Sequence, residues 1–170
     1  VVGGAVSATA RLYSAPLVIT EPGWRKSRVL HNGEWSSLNE AWFGIKLNLR
    51  ITEINFHPSE NPDHEFIEIT NFGTDTADLS GVTFTDGIQY IFPHGTTLGA
   101  GKFLILVVNK VAFNAKYPDV SVDGIYTGRL RNEGERLSLG TPTAELFAVS
   151  YNNKNPWPSA AKGKGFTLVL

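Results

Sequence analysis

Carboxylates and imidazoles are concentrated in one stretch of the chain, residues 49–70. Asn61, Asp63 and Glu65 offer side-chain oxygen atoms within a short polar connector, and Ca²⁺ binds oxygen ligands of this kind. His57 and His64 stand at the two ends of the same connector, and histidine is the commonest zinc ligand. These five residues are therefore candidate ligands of an ion, with calcium as the first choice and zinc as the second.

Ordinary ion pairing is the interpretation that we favour for these carboxylates. Glu65 and Glu68 are three residues apart, so they point to opposite faces of a strand and do not converge on one ion. Glu53 and Glu68 enter strongly apolar segments, where a buried carboxylate needs a charge-assisted hydrogen-bond partner. Residues 129–136 form the basic segment that could supply it. The predicted set of structural ion pairs is drawn from Glu53, Glu68, Arg129, Arg131 and Arg136.

An enzyme mechanism is not indicated by the remaining polar residues. The sequence has no Gly-x-Ser-x-Gly motif, and its serines are scattered through turns without a nearby His and Asp arrangement. Glu53 and Glu68 could form the carboxylate pair of a glycoside hydrolase, but nothing places them in a cleft. We therefore expect no catalytic residues and no cofactor other than the calcium ion considered above.

The composition is that of a globular domain with few charges. Among 170 residues, 42% are hydrophobic and 18% are charged, and the formal net charge is −1. Acidic and basic residues are nearly equal in number, so the sequence does not predict the basic surface by which proteins bind DNA or RNA. We therefore expect no nucleic-acid partner. Cysteine is absent, which excludes disulfides and thiolate metal sites. The longest apolar run, residues 103–108, is too short to span a bilayer, so no membrane span is predicted.

Short strands separated by turn signals must position these residues. The pattern from residue 47 onwards predicts an antiparallel β-sandwich with one short helix at 110–117. The alternation changes phase near Thr52, which predicts a β-bulge or a strand buried on both sides. Residues 103–108, apolar throughout, predict a central strand covered on both faces, and Asn32-Gly33 predicts a tight hairpin. The predicted strands are 11–13, 17–20, 25–30, 41–45, 49–56, 65–71, 82–85, 88–92, 102–108, 121–126, 135–139, 145–151 and 165–170.

Residues 1–46 carry a set of motifs of their own. Tyr13 and Pro16 are followed by Arg28, by Gly-x-Trp-Ser at 33–36 and by Ala-x-Phe at 41–43. This order resembles the closing strands of the fibronectin-III-like β-sandwich found beside chitobiase and hexosaminidase catalytic domains. The resemblance implies that residues 1–46 are a β-strand appendage, the C-terminal part of a preceding module. Because the chain starts with Val and contains no methionine, we expect it to be a piece of a longer, multidomain protein.

Residues 47–170 resemble the lamin tail domain, specifically its bacterial branch, nearly end to end. The motifs include Glu-Phe-Ile-Glu-Ile-x-Asn at 65–71, Asp-Leu-Ser-Gly at 78–81 and Tyr-x-Gly-x-Leu-x-Asn-x-Gly-Glu-x-Leu-x-Leu at 126–139. Their order and spacing match the family throughout. The resemblance implies an immunoglobulin-like β-sandwich that, in bacteria, is a module of exported multidomain proteins. The chain has no heptad repeat, so a filament role is not supported.

Together these observations predict an all-β, non-enzymatic module that serves partner binding, spacing or adhesion in an exported bacterial protein. The expected partner is a protein or a cell-surface glycan, and the expected location is outside the cell. The alternative is an accessory carbohydrate-binding module of a glycan-degrading enzyme. Its candidate ligand surface is Trp157, which stands between two prolines in a loop and could stack on a sugar ring.

Overall fold

The computed structural model describes residues 8–17, 23–43, 47–141 and 144–170. The chain divides into two compact units, Val1–Lys46 (unit 1) and Leu47–Leu170 (unit 2). Residues 18–20 of the predicted strand at 17–20 and residues 44–45 of the one at 41–45 lie outside the described residues. Among the helices that are described, none is long and apolar enough to cross a membrane.

The described part of unit 1 forms two short antiparallel ribbons. Its strands are β1 (Gly23–Ser27), β2 (Leu30–His31), β3 (Glu34–Trp35) and β4 (Asn39–Phe43). Strand β1 pairs with β4, and β2 pairs with β3. Asn32 and Gly33 connect β2 to β3 with φ angles of 49° and 80°, which are the left-handed values of a type I′ turn, so the predicted hairpin is confirmed. The predicted strand at 11–13 is wrong, because those residues form no strand.

Unit 2 is an immunoglobulin-like β-sandwich with one short helix, α1 (Lys110–Lys116). Its strands in chain order are β5 (Leu49–Asn55), β6 (Phe66–Asn71), β7 (Ala77–Asp78), β8 (Thr83–Asp86), β9 (Thr97–Leu98), β10 (Phe103–Val107), β11 (Gly124–Ile125), β12 (Gly134–Thr141), β13 (Ala144–Asn152) and β14 (Leu168–Val169). A five-stranded sheet has the order β11-β10-β6-β5-β14, and a three-stranded sheet has the order β13-β12-β8. Strands β7 and β9 form a separate ribbon. The pair β10 and β11 is parallel, whereas the other strand pairs are antiparallel.

Two details of the predicted strand pattern need correction. Residues 88–92 form no strand and contribute only isolated bridges, at Gln89 and Ile91. The pair of β7 and β9 was not predicted, because two-residue strands carry no readable alternation. The remaining predicted strands of unit 2 are present, although those at 121–126 and 165–170 are reduced to two residues each.

The core of unit 2 lies between the two sheets. Ile54, Ile67 and Leu106 from the five-stranded sheet and Leu137 and Leu139 from the three-stranded sheet are each at most 1% exposed. Burial of one such aliphatic side chain contributes about 1.5–3 kcal/mol, so the contact between the sheets is the main source of stability. The apolar alternation that predicted the strands is therefore the alternation that fills this core.

A β-bulge in β5 decides which side chains of that strand face the core. The register between β5 and β6 shifts between Ile51 and Glu53, which leaves Thr52 as the extra residue and confirms the predicted bulge. Ile51 and Ile54 are both buried in the core, although they are three residues apart. Glu53 consequently lies on the opposite, outer face of the five-stranded sheet.

Helix α1 covers only part of that outer face. The side chain of Asn109 accepts hydrogen bonds from the amides of Val111 and Ala112 and so caps the helix at its start. Phe113 of the helix packs in a second cluster with Phe66 and Val107 of the sheet. Phe103, at the other end of β10, is 57% exposed. The prediction of a strand covered on both faces is therefore correct near Val107 and wrong at Phe103.

Candidate functional site

The connector between β5 and β6 ends in a single turn of 3-10 helix, Pro62–His64. Asn61 caps this turn, because its side-chain oxygen accepts a hydrogen bond from the amide of Asp63 at 2.9 Å. The carbonyl of His64 accepts a hydrogen bond from the side-chain amide of Asn55 at 3.0 Å. The turn thus presents Asp63 on its surface and directs the next residue, Glu65, inward.

Arg129 lies at the centre of the groups around this turn. Its guanidinium donates hydrogen bonds to a carboxylate oxygen of Asp63 and, at 2.8 Å, to the carbonyl of Pro62. The other oxygen of Asp63 accepts a hydrogen bond from Asn109 at 2.9 Å. The same guanidinium is 3.8 Å from the nearer oxygen of Glu65. One arginine therefore neutralises both carboxylates, and Asn109 joins the turn to the start of α1.

Glu65 is the buried member of this group, with 4% of its surface exposed. One of its oxygens accepts a hydrogen bond from the amide of Leu130 at 3.1 Å and another from the hydroxyl of Tyr126 at 3.4 Å. Tyr126 and Leu130 are themselves 2% and 3% exposed. The carboxylate therefore satisfies two donors that have no access to water. We call Asp63, Glu65, Asn109, Tyr126 and Arg129 the tip network.

The two acids of the tip network have pKa values that shift in opposite directions, for different reasons. The hydrogen bond from Arg129, helped by the one from Asn109, lowers the pKa of Asp63 below its usual value. Burial raises the pKa of Glu65 even though Leu130 and Arg129 act in the opposite direction. Burial also raises the pKa of the Tyr126 phenol well above its usual value. Two acids of one hairpin are therefore shifted in opposite directions by the same surroundings.

The predicted calcium or zinc site does not form in the described part of the chain. No group of three or more His, Asp or Glu side chains there is placed to hold a metal ion. The five predicted ligands are all described, and Asp63 and Glu65 hold the guanidinium of Arg129 where the ion was expected. Asn61 uses its oxygen as a cap. The cation of this site is a side chain of the protein itself.

The Nδ1 atoms of the two connector histidines form no hydrogen bond to this network. The Nδ1 atoms of His57 and His64 are buried and have no hydrogen-bond partner. The ring of His57 lies beside Gly163, because a side chain added to that glycine would come within 3.1 Å of its Nε2 atom. The backbone carbonyl of His64, rather than its ring, accepts a hydrogen bond from the side-chain amide of Asn55.

A comparison with known protein families agrees with this architecture. Residues 46–153 match the family model of the lamin tail domain. The chain belongs to the lamin tail domain family. No curated protein and no solved structure matches the chain significantly. The lamin tail domain is an immunoglobulin-like, non-catalytic type of module, which agrees with the sandwich described above.

Within the lamin tail domain, the arginines that were predicted to pair with Glu53 and Glu68 have other partners. Arg129 pairs with Asp63 and Glu65 inside the tip network, and Arg131 lies 3.9 Å from Glu135. Arg136 belongs to β12 of the three-stranded sheet, where it pairs with two carboxylates. The core separates that sheet from the outer face that carries Glu53 and Glu68, which is why the predicted pairs with Arg136 cannot form. The partners of Arg136 are Asp86 and Glu145.

Glu53 and Glu68 instead form hydrogen bonds with hydroxyl groups of the five-stranded sheet. They lie directly opposite each other on β5 and β6. Glu53 accepts a hydrogen bond from Thr167, and Glu68 accepts one from Thr52, the bulge residue, at 2.7 Å. Among the described residues neither carboxylate has an ion-pair partner.

The part of the outer face that α1 leaves uncovered is apolar around this carboxylate pair. Phe72, Phe103 and Val169 are 55%, 57% and 73% exposed. Ile105 is partly buried at the boundary of this surface, where it packs against the cluster of Phe66, Val107 and Phe113. We call this surface the open face; it consists of Glu53, Glu68, Phe72, Phe103, Ile105 and Val169. Exposed apolar patches on a folded domain commonly mark sites where another molecule binds.

Trp157, the candidate sugar-binding residue, is partly buried against the core of the lamin tail domain. Its backbone amide donates a hydrogen bond to the carbonyl of Lys154 at 2.9 Å and so closes a tight turn. The ring therefore contributes to packing on at least one face, and the described contacts give it no polar partners of the kind that orient a sugar.

Proposed function

We propose that this lamin tail domain is a non-enzymatic interaction module that binds a protein partner through its open face. The single observation that supports this function is the exposure of Phe72, Phe103 and Val169 on one sheet surface. Phe103 and Val169 project from the outer face by the alternation of their strands, and Phe72, directly after β6, lies beside Arg50 of the same face. A sheet surface of this kind gains free energy when a partner removes it from water.

The tip network has a structural role. Its carboxylates are neutralised by Arg129, and its buried donors are satisfied by Glu65. No pair of these groups is arranged as a nucleophile with a neighbouring base. The network therefore holds the connector in place, and the binding surface that remains is the apolar one.

Selection of peptides on the immobilised chain tests this function. A phage library of random dodecapeptides is selected in parallel on the unaltered chain and on the double variant Phe72→Ser, Phe103→Ser. We expect sequences that are enriched on the unaltered chain and lost on the variant, because serine removes most of the apolar area of the open face. Circular dichroism of both proteins controls for folding. The proposal is refuted if enriched sequences bind both folded proteins equally well, or if no sequence is enriched.

We also propose that the chain comes from an exported, multidomain bacterial protein. The resemblance of residues 1–46 to a fibronectin-III-like module supports this, as does the use of lamin tail domains in exported proteins that the resemblance of residues 47–170 implies. The full-length gene product provides the test: an export signal and further domains are expected in it, and a lone domain without such a signal would contradict the proposal.

A further inference from the structure

Glu53 and Glu68 place two negative charges side by side in the middle of the open face. They are direct cross-strand partners, so their Cβ atoms are about 4.5–5.5 Å apart. Like charges in this position destabilise a sheet. The hydroxyl groups of Thr167 and Thr52 each donate one hydrogen bond to the pair, which solvates the carboxylates without neutralising them. The described residues therefore supply hydroxyl partners to the pair and no cation.

Apolar residues flank the pair on both sides in the same row of the sheet. Ile105 of β10 lies opposite Glu68, and Val169 of β14 lies opposite Glu53. The row therefore reads apolar, acidic, acidic, apolar across four adjacent strands. A partner that matches this row needs a positive charge over its centre and apolar atoms on either side of that charge.

Arg50, a cation on the same face of the sheet, contacts an aromatic ring. Arg50 lies on the outer face of β5, in the row of Thr70, two residues along β6 from Glu68. Its guanidinium lies over the ring of Phe72, with 5.5 Å between the guanidinium carbon and the ring centroid. Arg50 marks one end of the open face with positive charge and leaves the centre negative.

We propose that the open face recognises a lysine or arginine side chain of its protein partner, seated between Glu53 and Glu68 and flanked by apolar residues. This inference rests on the proposed function and specifies the chemistry of the partner. A side-chain cation suits the site better than a metal ion, because among the described residues no third acidic or histidine side chain joins the pair to complete a cluster that could hold a metal. An ammonium or guanidinium group needs only the two carboxylates as acceptors and brings its own apolar stem to Ile105 and Val169.

The experiment compares two peptide libraries on the whole chain. Both display dodecapeptides with one fixed central residue among positions restricted to apolar and small residues. The central residue is lysine in one library and glutamine in the other. Each library is selected on the unaltered chain, on Glu53→Gln with Glu68→Gln, and on the control Asp119→Asn with Glu133→Gln. The control removes the same amount of charge from two exposed carboxylates outside the open face.

The best lysine peptides are then synthesised, and their affinities are measured by fluorescence anisotropy. On the unaltered chain we expect affinity to fall at least tenfold when lysine is replaced by glutamine. The Glu53→Gln, Glu68→Gln variant should abolish this difference, and the control variant should keep it. Arg50→Gln should strengthen lysine-peptide binding, because it removes a like charge near the site. Affinity should also fall as NaCl rises from about 0.05 to 0.5 M, because salt screens an exposed ion pair.

The outcomes separate the two proposals. Peptides that require Phe103 but bind equally with lysine or glutamine would overturn the present inference and leave the proposed function intact. Peptides that are indifferent to Phe103→Ser would overturn both. Loss of the lysine preference on addition of CaCl₂ at millimolar concentration, with recovery in EDTA, would show that a metal ion competes for the pair and would overturn the choice of a side-chain cation. Circular dichroism of each variant excludes misfolding as the cause.

Discussion

Replacement of Glu65 by alanine should destabilise the lamin tail domain more than any exposed carboxylate replacement. The change leaves the amide of Leu130 and the hydroxyl of Tyr126 without an acceptor, and both residues are at least 97% buried. An unsatisfied buried donor costs about 1–3 kcal/mol, so two cost roughly 2–6 kcal/mol. Relief of the desolvation of the carboxylate offsets part of this loss, and we expect a net decrease of about 2–4 kcal/mol in the free energy of unfolding.

Urea unfolding of the whole chain, followed by circular dichroism, measures this change. The chain has two units, so the transition of unit 2 is identified first with Leu137→Ala, which removes a fully buried side chain from its core. Glu65→Ala is then scored on that transition. Glu133→Ala, at an exposed position, serves as the control and should change the free energy by less than about 0.5 kcal/mol.

Glu65→Gln sharpens the test, because an amide oxygen can still accept both hydrogen bonds. We expect this variant to recover at least half of the stability that Glu65→Ala loses. If Glu65→Ala unfolds at the same urea concentration as the unaltered chain, then the buried carboxylate is not what satisfies Leu130 and Tyr126. If Glu65→Gln is as unstable as Glu65→Ala, then charge rather than hydrogen bonding holds the site, and the argument from unsatisfied donors is refuted.

Three further predictions concern the pH dependence of two acids and a second buried polar residue. The pKa of Glu65 is higher in the folded chain than its usual value of 4.5. Its contribution to the free energy of unfolding therefore falls as the pH rises from 4.5 through the folded-state pKa. Over that pH range Glu65→Gln should gain stability relative to the unaltered chain. The pKa of Asp63 is lowered, so the stability lost in Asp63→Asn should be constant at neutral pH and shrink as pH falls below 3.8; thermal unfolding across pH checks both signs. The side chain of Asn71, which is 1% exposed, donates hydrogen bonds to two backbone carbonyls at 2.8 Å and accepts one from a backbone amide at 2.9 Å. Asn71→Ala leaves these groups without partners and should lower the free energy of unfolding by about 2–5 kcal/mol in the same urea assay. If Asn71→Ala lowers the free energy of unfolding by less than about 1 kcal/mol, then the hydrogen bonds of Asn71 do not stabilise the fold as argued.

The fold was predictable where short-range physics decides the conformation. The Asn32-Gly33 turn requires left-handed backbone at both positions, and few other dipeptides tolerate it. The bulge at Thr52 is visible as a break in alternation, because a one-residue insertion moves every later side chain to the other face. The helix at 110–117 is preceded by a capping asparagine and followed by a proline. In each case the signal lies within a few residues of the feature.

The ion pairs could not be predicted because they depend on which sheet each strand joins. Arg129 and Asp63 are 66 residues apart in the chain, and nothing local to either indicates the other. Arg136 and Glu68 each fit the apolar and polar alternation of their own strand, yet the two strands belong to different sheets. A buried carboxylate predicts that some donor is present, and only the topology decides which one. Asn109 was overlooked for the same reason, since its capping role was readable but its bond to Asp63 was not.

The carboxylates of the β5 and β6 hairpin therefore fall into two classes that the sequence presents as one. Those of the tip are neutralised by Arg129 within the fold, and their replacement should lower stability without altering which peptides bind. Those of the open face have only hydroxyl partners among the described residues, and their mutual repulsion opposes folding. Glu53→Gln with Glu68→Gln should therefore leave stability unchanged or raise it while abolishing the preference for lysine. A pair of charges whose removal stabilises the domain but weakens binding is retained for binding, and a loss of stability in that variant would assign the pair to the fold instead.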